Sequence, residues 1–326
     1  MNFNKRYFLD ENNKPDELCA SLDCWEQYLY FALKDYNINC KLVFCEDINV
    51  CYSILQDKIM RNHIFLDNHL YDVQRWEEPD NPSEIIEKIV NNNKIAVCKI
   101  GFNLLEPYIW FDNNQYKLHT NHNMGIIGFD EQYYYFIDSP LLITRDWKDV
   151  YKENPCIFKI EKQRFLYVCK FYCKISEISI REENIENIKT LDEVIKAIVN
   201  NYYISDIIDN KYIGKKALEV FKESIINKDS INSVFFKDQF FCHLIYSRHL
   251  ILKRCLEEDI SYNKKHNFKI ILDSLDKVTE QWFCFTNLIL KNMYKPIDNF
   301  KFKIIDIITK IQKKEEILIT NLKNIY

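Results

Sequence analysis

The chain has 326 residues, of which 47% are hydrophobic and 28% charged, and a formal net charge of −4. Those proportions belong to a globular protein with one large domain or two ordinary ones and exclude a disordered chain. The only glycines, Gly101, Gly125, Gly128 and Gly214, exclude a GxGxxG or Walker-type phosphate loop, and no apolar run is long enough to cross a bilayer.

In chain order, the opening MNFNKRYFLDENN is too polar for a secretory signal, so a cytoplasmic setting with free thiols is expected for the twelve cysteines. There is no CxxC, and His63 with His69 or His243 with His249 are too loosely spaced for a zinc site, so no metal is expected. Trp25, Tyr28, Leu29, Ala32, Leu33 and Tyr36 recur at helical spacing and predict a helix over 24–36. Asn81-Pro82-Ser83-Glu84 predicts a second helix start, with a cap, proline at the first position and glutamate three residues after the cap. Strands are predicted over 94–100, 107–112, 122–128 and 132–138, joined by turns too short for helices, hence an antiparallel sheet. Beyond about residue 175, five segments read as helix: LDEVIKAIVNNYY, GKKALEVFKESI, FFKDQFFCHLIYSRHLILKRCLEE, 268–292 and FKIIDIITKIQKKEEILITNLKNI. The expected fold is α+β: a first domain over 1–170 and an all-helical domain over 171–326. Residues 1–150 carry a net −10 and residues 151–326 a net +6. The basic half is unaccompanied by any nucleic-acid motif, and an acidic protein partner fits it as well.

Two segments carry chemistry. In Asp23-Cys24-Trp25-Glu26, Asp23 stands as a cap with Glu26 three residues on, which places Cys24 at the first helical residue. The unpaired N–H groups and positive dipole end there favour thiolate over thiol. The second segment is NHNMGIIGFDEQYYYFIDSP, residues 121–140. A turn at Phe129-Asp130-Glu131 would set Gly128 opposite Gln132 and His122 opposite Asp138, a carboxylate beside an imidazole on one face. A two-residue turn would pair His122 with Ser139 instead. His119 competes for the role of base but lacks the following x5-G-F-D.

The order Cys24, His122, Asp138, with H-x5-G-F-D followed by I-D-S-P, resembles the signature of C39-like, papain-like cysteine enzymes. The run from IAVCKIGFNLLEPYIWFD through NHNMGIIGFDEQYYYFIDSP is similar to the N-terminal domain of the butirosin-biosynthesis acyltransferase family, in which a helical domain follows. A second likeness is to the papain-like enzymes that form the amide bonds of closthioamide. The resemblance implies a papain-like catalytic domain and acyl transfer to an amine. A carrier protein would present the acyl chain as a phosphopantetheine thioester, Cys24 would accept it, and a small amine or diamine would take it away. No intrinsic cofactor, nucleic acid or membrane is implied. His122 would receive the amine's proton, with Asp138 fixing its tautomer. The family's glutamine before the nucleophile is missing from residues 15–23. The Cys24 N–H is one oxyanion donor, and Asn121 and Gln27 are candidates for a second. A peptidase or thioesterase shares the triad, and an inert binding protein that kept the fold is the alternative from another class.

Overall fold

The computed structural model describes residues 22, 24–34, 36, 40–60, 70–101, 121–137, 157–228, 245–259 and 268–325, without the side chains of Cys24, Cys40, Glu46, Asn121, Ile245, Met293 and Tyr294. The predicted cap Asp23, the strand expected at 107–112 and residues 235–244 of the expected third C-terminal helix lie outside that set. The chain divides into two compact units. One comprises Met1–Ile38 with Asn68–Ile185, the other Asn39–Asp67 with Glu186–Tyr326.

In chain order the elements are helices α1 (Cys24–Lys34) and α2 (Cys40–Cys45), a 3-10 turn at Glu46–Ile48, and strands β1 (Cys51–Ser53), β2 (Lys58–Met60) and β3 (Tyr71–Glu77). Helix α3 (Pro82–Asn91) and strands β4 (Ala96–Gly101), β5 (Asn121–Phe129), β6 (Tyr133–Ile137) and β7 (Ile157–Glu161) follow. Then come α4 (Lys162–Cys169), β8 (Cys173–Ile180), a 3-10 segment at Glu182–Asn187, α5 (Leu191–Tyr202), β9 (Lys211–Ile213), α6 (Gly214–Asn227), α7 (Ile245–Glu258), α8 (Lys269–Tyr294) and α9 (Phe300–Lys323).

The first unit is built on a six-stranded sheet of order β3-β8-β4-β5-β6-β7, with every pairing antiparallel. Strand alternation sends Ala96, Cys98 and Ile100 of β4 and Met124 and Ile126 of β5 to one face. There they form the core with Ile86 and Ile89 of α3 and Phe165 and Val168 of α4. Helix α3 starts as its sequence dictates: the Asn81 side chain accepts from the Glu84 N–H and Pro82 opens the helix. The opposite face, at Gly125, is covered by α1. Leu29, Leu33, Tyr28 and Phe31 are buried, and so are Glu26 and Gln27, so α1 is enclosed nearly all round.

Two expectations are corrected. The β5–β6 register differs from the one counted off the sequence: Gly128 faces Tyr135, not Gln132, and Gly125 faces Ile137. The Asp130 carboxylate accepts from the N–H groups of Gln132 and Tyr133 at 2.8 and 2.7 Å, which lengthens the turn. A bulge between Ile126 and Gly128 then shifts the ladder back by one residue, leaving it two residues from the counted register. The region after 170 is also not all helical. Cys173–Ile180, whose buried Cys173, Ile175 and Ile178 fall close to every second position, is an interior strand of the first unit's sheet.

The second unit joins a small antiparallel sheet, of order β2-β1-β9, to helices α2 and α5–α9. Helix α5 carries a complete capping box, Thr190 with Glu193. Gly214 has φ +55, and a side chain there would run into the Tyr202 backbone, so the turn from β9 into α6 requires glycine. No helix among the described residues is long and apolar enough to cross a membrane.

Candidate active site

Helix α1 begins at Cys24, so the residue named as nucleophile stands where the first backbone N–H groups have no partner within the helix. Its side chain lies outside the described residues, as do His119 and all of Asp138. What can be followed is how the structure aims α1. The Tyr28 ring fills the place where a Gly125 side chain would be, and its hydroxyl reaches the carbonyl oxygens of Asn123 and Ile137, both at 3.2 Å. Side chains on a helix lean toward its N-terminus. The ring therefore runs along β5 from Gly125 toward Asn123, and the start of α1 faces the end of β5 that carries His122.

His122 is the second residue of β5, paired with Ile100 of β4, and only 7% exposed. The pairing is uninterrupted from Asn121 to Ile126, so His122 alternates with Met124 and Ile126, whereas Gly125 under α1 belongs to the other set. The helix start and the imidazole thus share an end of the sheet, while the strand's parity gives them different faces. Beyond Gly125–Ile137 the β5–β6 ladder lies outside the described residues, and with it the expected His122–Asp138 pair.

The Gln27 side chain is spoken for in part. Its Nε2 donates to the Leu22 carbonyl at 3.1 Å, and its buried Oε1 has no partner among the described residues. One of its two amide hydrogens therefore holds the chain entering α1. Asn121, the other candidate, has its side chain outside the described residues.

The remaining cysteines with described side chains sharpen the assignment. Cys45, Cys51, Cys98, Cys169, Cys173 and Cys255 are buried, and only Cys284, on α8, is exposed. Burial pushes the Cys51 thiol up to about 12 and drives Cys45 and Cys98 well above the ordinary thiol range. Cys169 is raised first by its hydrogen bond with Cys173 and then by burial. Burial keeps these six sulfurs from meeting an acyl donor, so none of them competes with Cys24 for the role of acyl acceptor.

A buried polar trio in the second unit has no local pattern that would mark it in the sequence. The Trp282 indole N–H on α8 donates to Glu315 Oε1 on α9 at 3.0 Å, and His249 Nε2 on α7 lies 3.1 Å from the same oxygen. All three are buried, His249 completely, so the group ties helices together without meeting a substrate. An open cleft of about 470 Å³ in that unit is lined by Tyr202, Lys215, Glu219, Lys222, Glu223 and Glu316 among others, with Lys215 and Glu316 paired at 3.1 Å. It holds charge of both signs, and its lining includes no cysteine, serine or threonine. Among the described residues no group of histidine, cysteine and carboxylate side chains could hold a metal ion. Compared with known proteins, the chain matches no family model and no curated protein.

Proposed function

We propose that the chain is a cysteine-dependent acyltransferase that moves an acyl or peptidyl group from a carrier-protein thioester onto a small amine. The observation that carries the reading is that Cys24 opens a buried helix whose start lies toward the His122 end of β5; because His122 leaves the strand on the face opposite Gly125, the reading requires sulfur and imidazole to meet around that end of the sheet. The sequence likeness to C39-like enzymes supports the same assignment, and among the cysteines with described side chains only Cys284 is exposed.

In this mechanism the Cys24 sulfur attacks the carbonyl carbon of the phosphopantetheine thioester. The tetrahedral oxyanion leans on the Cys24 N–H, and the carrier thiol leaves. The amine then attacks the enzyme-bound thioester while His122 takes its proton and returns it to the departing sulfur. In this reading Asp138 holds the imidazole in the tautomer that accepts the proton. Conversion of thioester to amide is downhill and needs no ATP.

Hydrolysis is the competing outcome, since water can discharge the same acyl-enzyme. Incubation with a short-chain acyl thioester and a diamine, with amide and free acid quantified together, separates the two. Amide in excess at millimolar amine supports transfer; free acid alone, unchanged by amine, makes the protein a hydrolase.

A further inference from the structure

Away from the candidate active site, the second unit holds a pair of buried thiols on helices far apart in sequence. Cys45 Sγ at the end of α2 lies 3.7 Å from Cys255 Sγ on α7, and Cys45 Sγ also donates to the Lys41 carbonyl at 3.3 Å. Both are buried, Cys45 fully and Cys255 at 3% exposure. The same two helices are joined about one turn away by the Lys41–Glu258 ion pair, and the Arg248 guanidinium lies over the Phe44 ring at 5.4 Å. Contacts on both sides of the sulfurs thus hold the two helices in register.

We propose that Cys45 and Cys255 form an oxidisable dithiol that closes to a disulfide when hydrogen peroxide reaches it, fastening α2 to α7. The sulfurs need to approach by about 1.7 Å to bond. The step balances without another reagent. One sulfur, as thiolate, attacks a peroxide oxygen and becomes a sulfenic acid, releasing water once the leaving oxygen is protonated. The second sulfur displaces the sulfenic oxygen, which leaves as a second water, and the S–S bond forms. Two thiols are oxidised by two electrons and one peroxide is reduced. Burial, and then the hydrogen bond from Cys255, push the Cys45 thiol up, and the nearby Arg248 and Lys41 charges oppose this, so the reaction is slow but directed. The bond would close a loop of about 210 residues and restrict the unfolded chain strongly.

The test treats the full-length protein with hydrogen peroxide, blocks the remaining thiols and maps the peptides without reduction. The expected result is a Cys45–Cys255 linked peptide, reversed by dithiothreitol, and a melting temperature at least about 3 °C above that of the reduced protein. The rise should vanish in Cys255→Ser, and in Cys45→Ala as a second variant should Cys255→Ser fold poorly. Recovery of Cys45 and Cys255 as separate blocked thiols, while Cys284 or other cysteines are oxidised, would overturn the proposal. Linkage of either to a different cysteine would overturn it too, as would an oxidised protein that melts no higher than the reduced one.

Discussion

The Tyr28 ring occupies the space that a side chain at Gly125 would need. A Cβ there would collide with Tyr28 Cε1 and lie 2.8 Å from Cδ1 and 3.1 Å from Ile137 Cγ1. The ring cannot retreat, because Tyr28 is fully buried and its hydroxyl is held by two strand carbonyls. Gly125→Ala should therefore lift α1 off β5 at a cost of about 2–3 kcal/mol, read as a lower urea midpoint at unchanged slope. Tyr28→Phe removes only the hydroxyl and should cost about 1 kcal/mol. If α1 positions the nucleophile, Gly125→Ala should also slow acyl-enzyme formation in the protein that remains folded.

Much of this arrangement was legible before any coordinates. Asn81-Pro82-Ser83-Glu84 encodes its helix start locally, and the long C-terminal helices follow from a 3.6-residue repeat of apolar side chains. Cys24 at the head of α1 was legible for the same reason. The register of β5 against β6 was not, because it depends on a carboxylate wrapping its own turn and on a bulge that simple counting ignores. Asp130 after a glycine and a phenylalanine is a turn-former, and weighing its side chain would have lengthened the turn. The strand CKISEISI was taken into a helical region, although its near-alternation is visible, because it returns to a sheet already described by earlier strands. Pairing of His249 with Glu315, 66 positions apart on different helices, leaves no local trace at all.

That trio yields a second prediction. Glu315 Oε1 takes both the Trp282 N–H and the His249 Nε2 contact in a buried setting, so removing it strands two polar groups. Glu315→Leu should destabilise the protein by about 3 kcal/mol, whereas Glu315→Gln, which keeps an acceptor, should cost roughly half as much or less. Thermal unfolding of the two variants side by side checks the difference.

Asp57 gives a pH dependence. Burial pushes its carboxyl up, but hydrogen bonds from Lys228, Tyr52 and Ser224 together hold it below the ordinary aspartate value of 3.8. A depressed pKa in the folded state means its contribution is present above about pH 4 and is lost as pH falls through the folded value. Asp57→Asn should cost about 1 kcal/mol at pH 7, given that the site is partly exposed. The gap from the native protein should narrow steadily in denaturation curves taken below pH 4.

Thiol reactivity distinguishes the nucleophile from its neighbours. With burial pushing the Cys51 thiol up to about 12 and holding Cys45 and Cys98 well above the ordinary thiol range, these cysteines should resist iodoacetamide at pH 7 until the protein unfolds. Cys24, at a helix start, should alkylate first and at least about tenfold faster than exposed Cys284. Time-resolved peptide mapping ranks them, and a Cys24 slower than Cys284 would argue against an activated thiol.

The most direct measurement is intact-protein mass spectrometry after brief mixing with an acyl thioester, comparing the native protein with Cys24→Ala and His122→Ala. The account predicts a single acyl adduct on the native protein, lost rapidly when an amine is added, none on Cys24→Ala, and a slowly discharged adduct on His122→Ala. An adduct of equal mass and yield on Cys24→Ala, or no adduct on the native protein under any of these conditions, would contradict it.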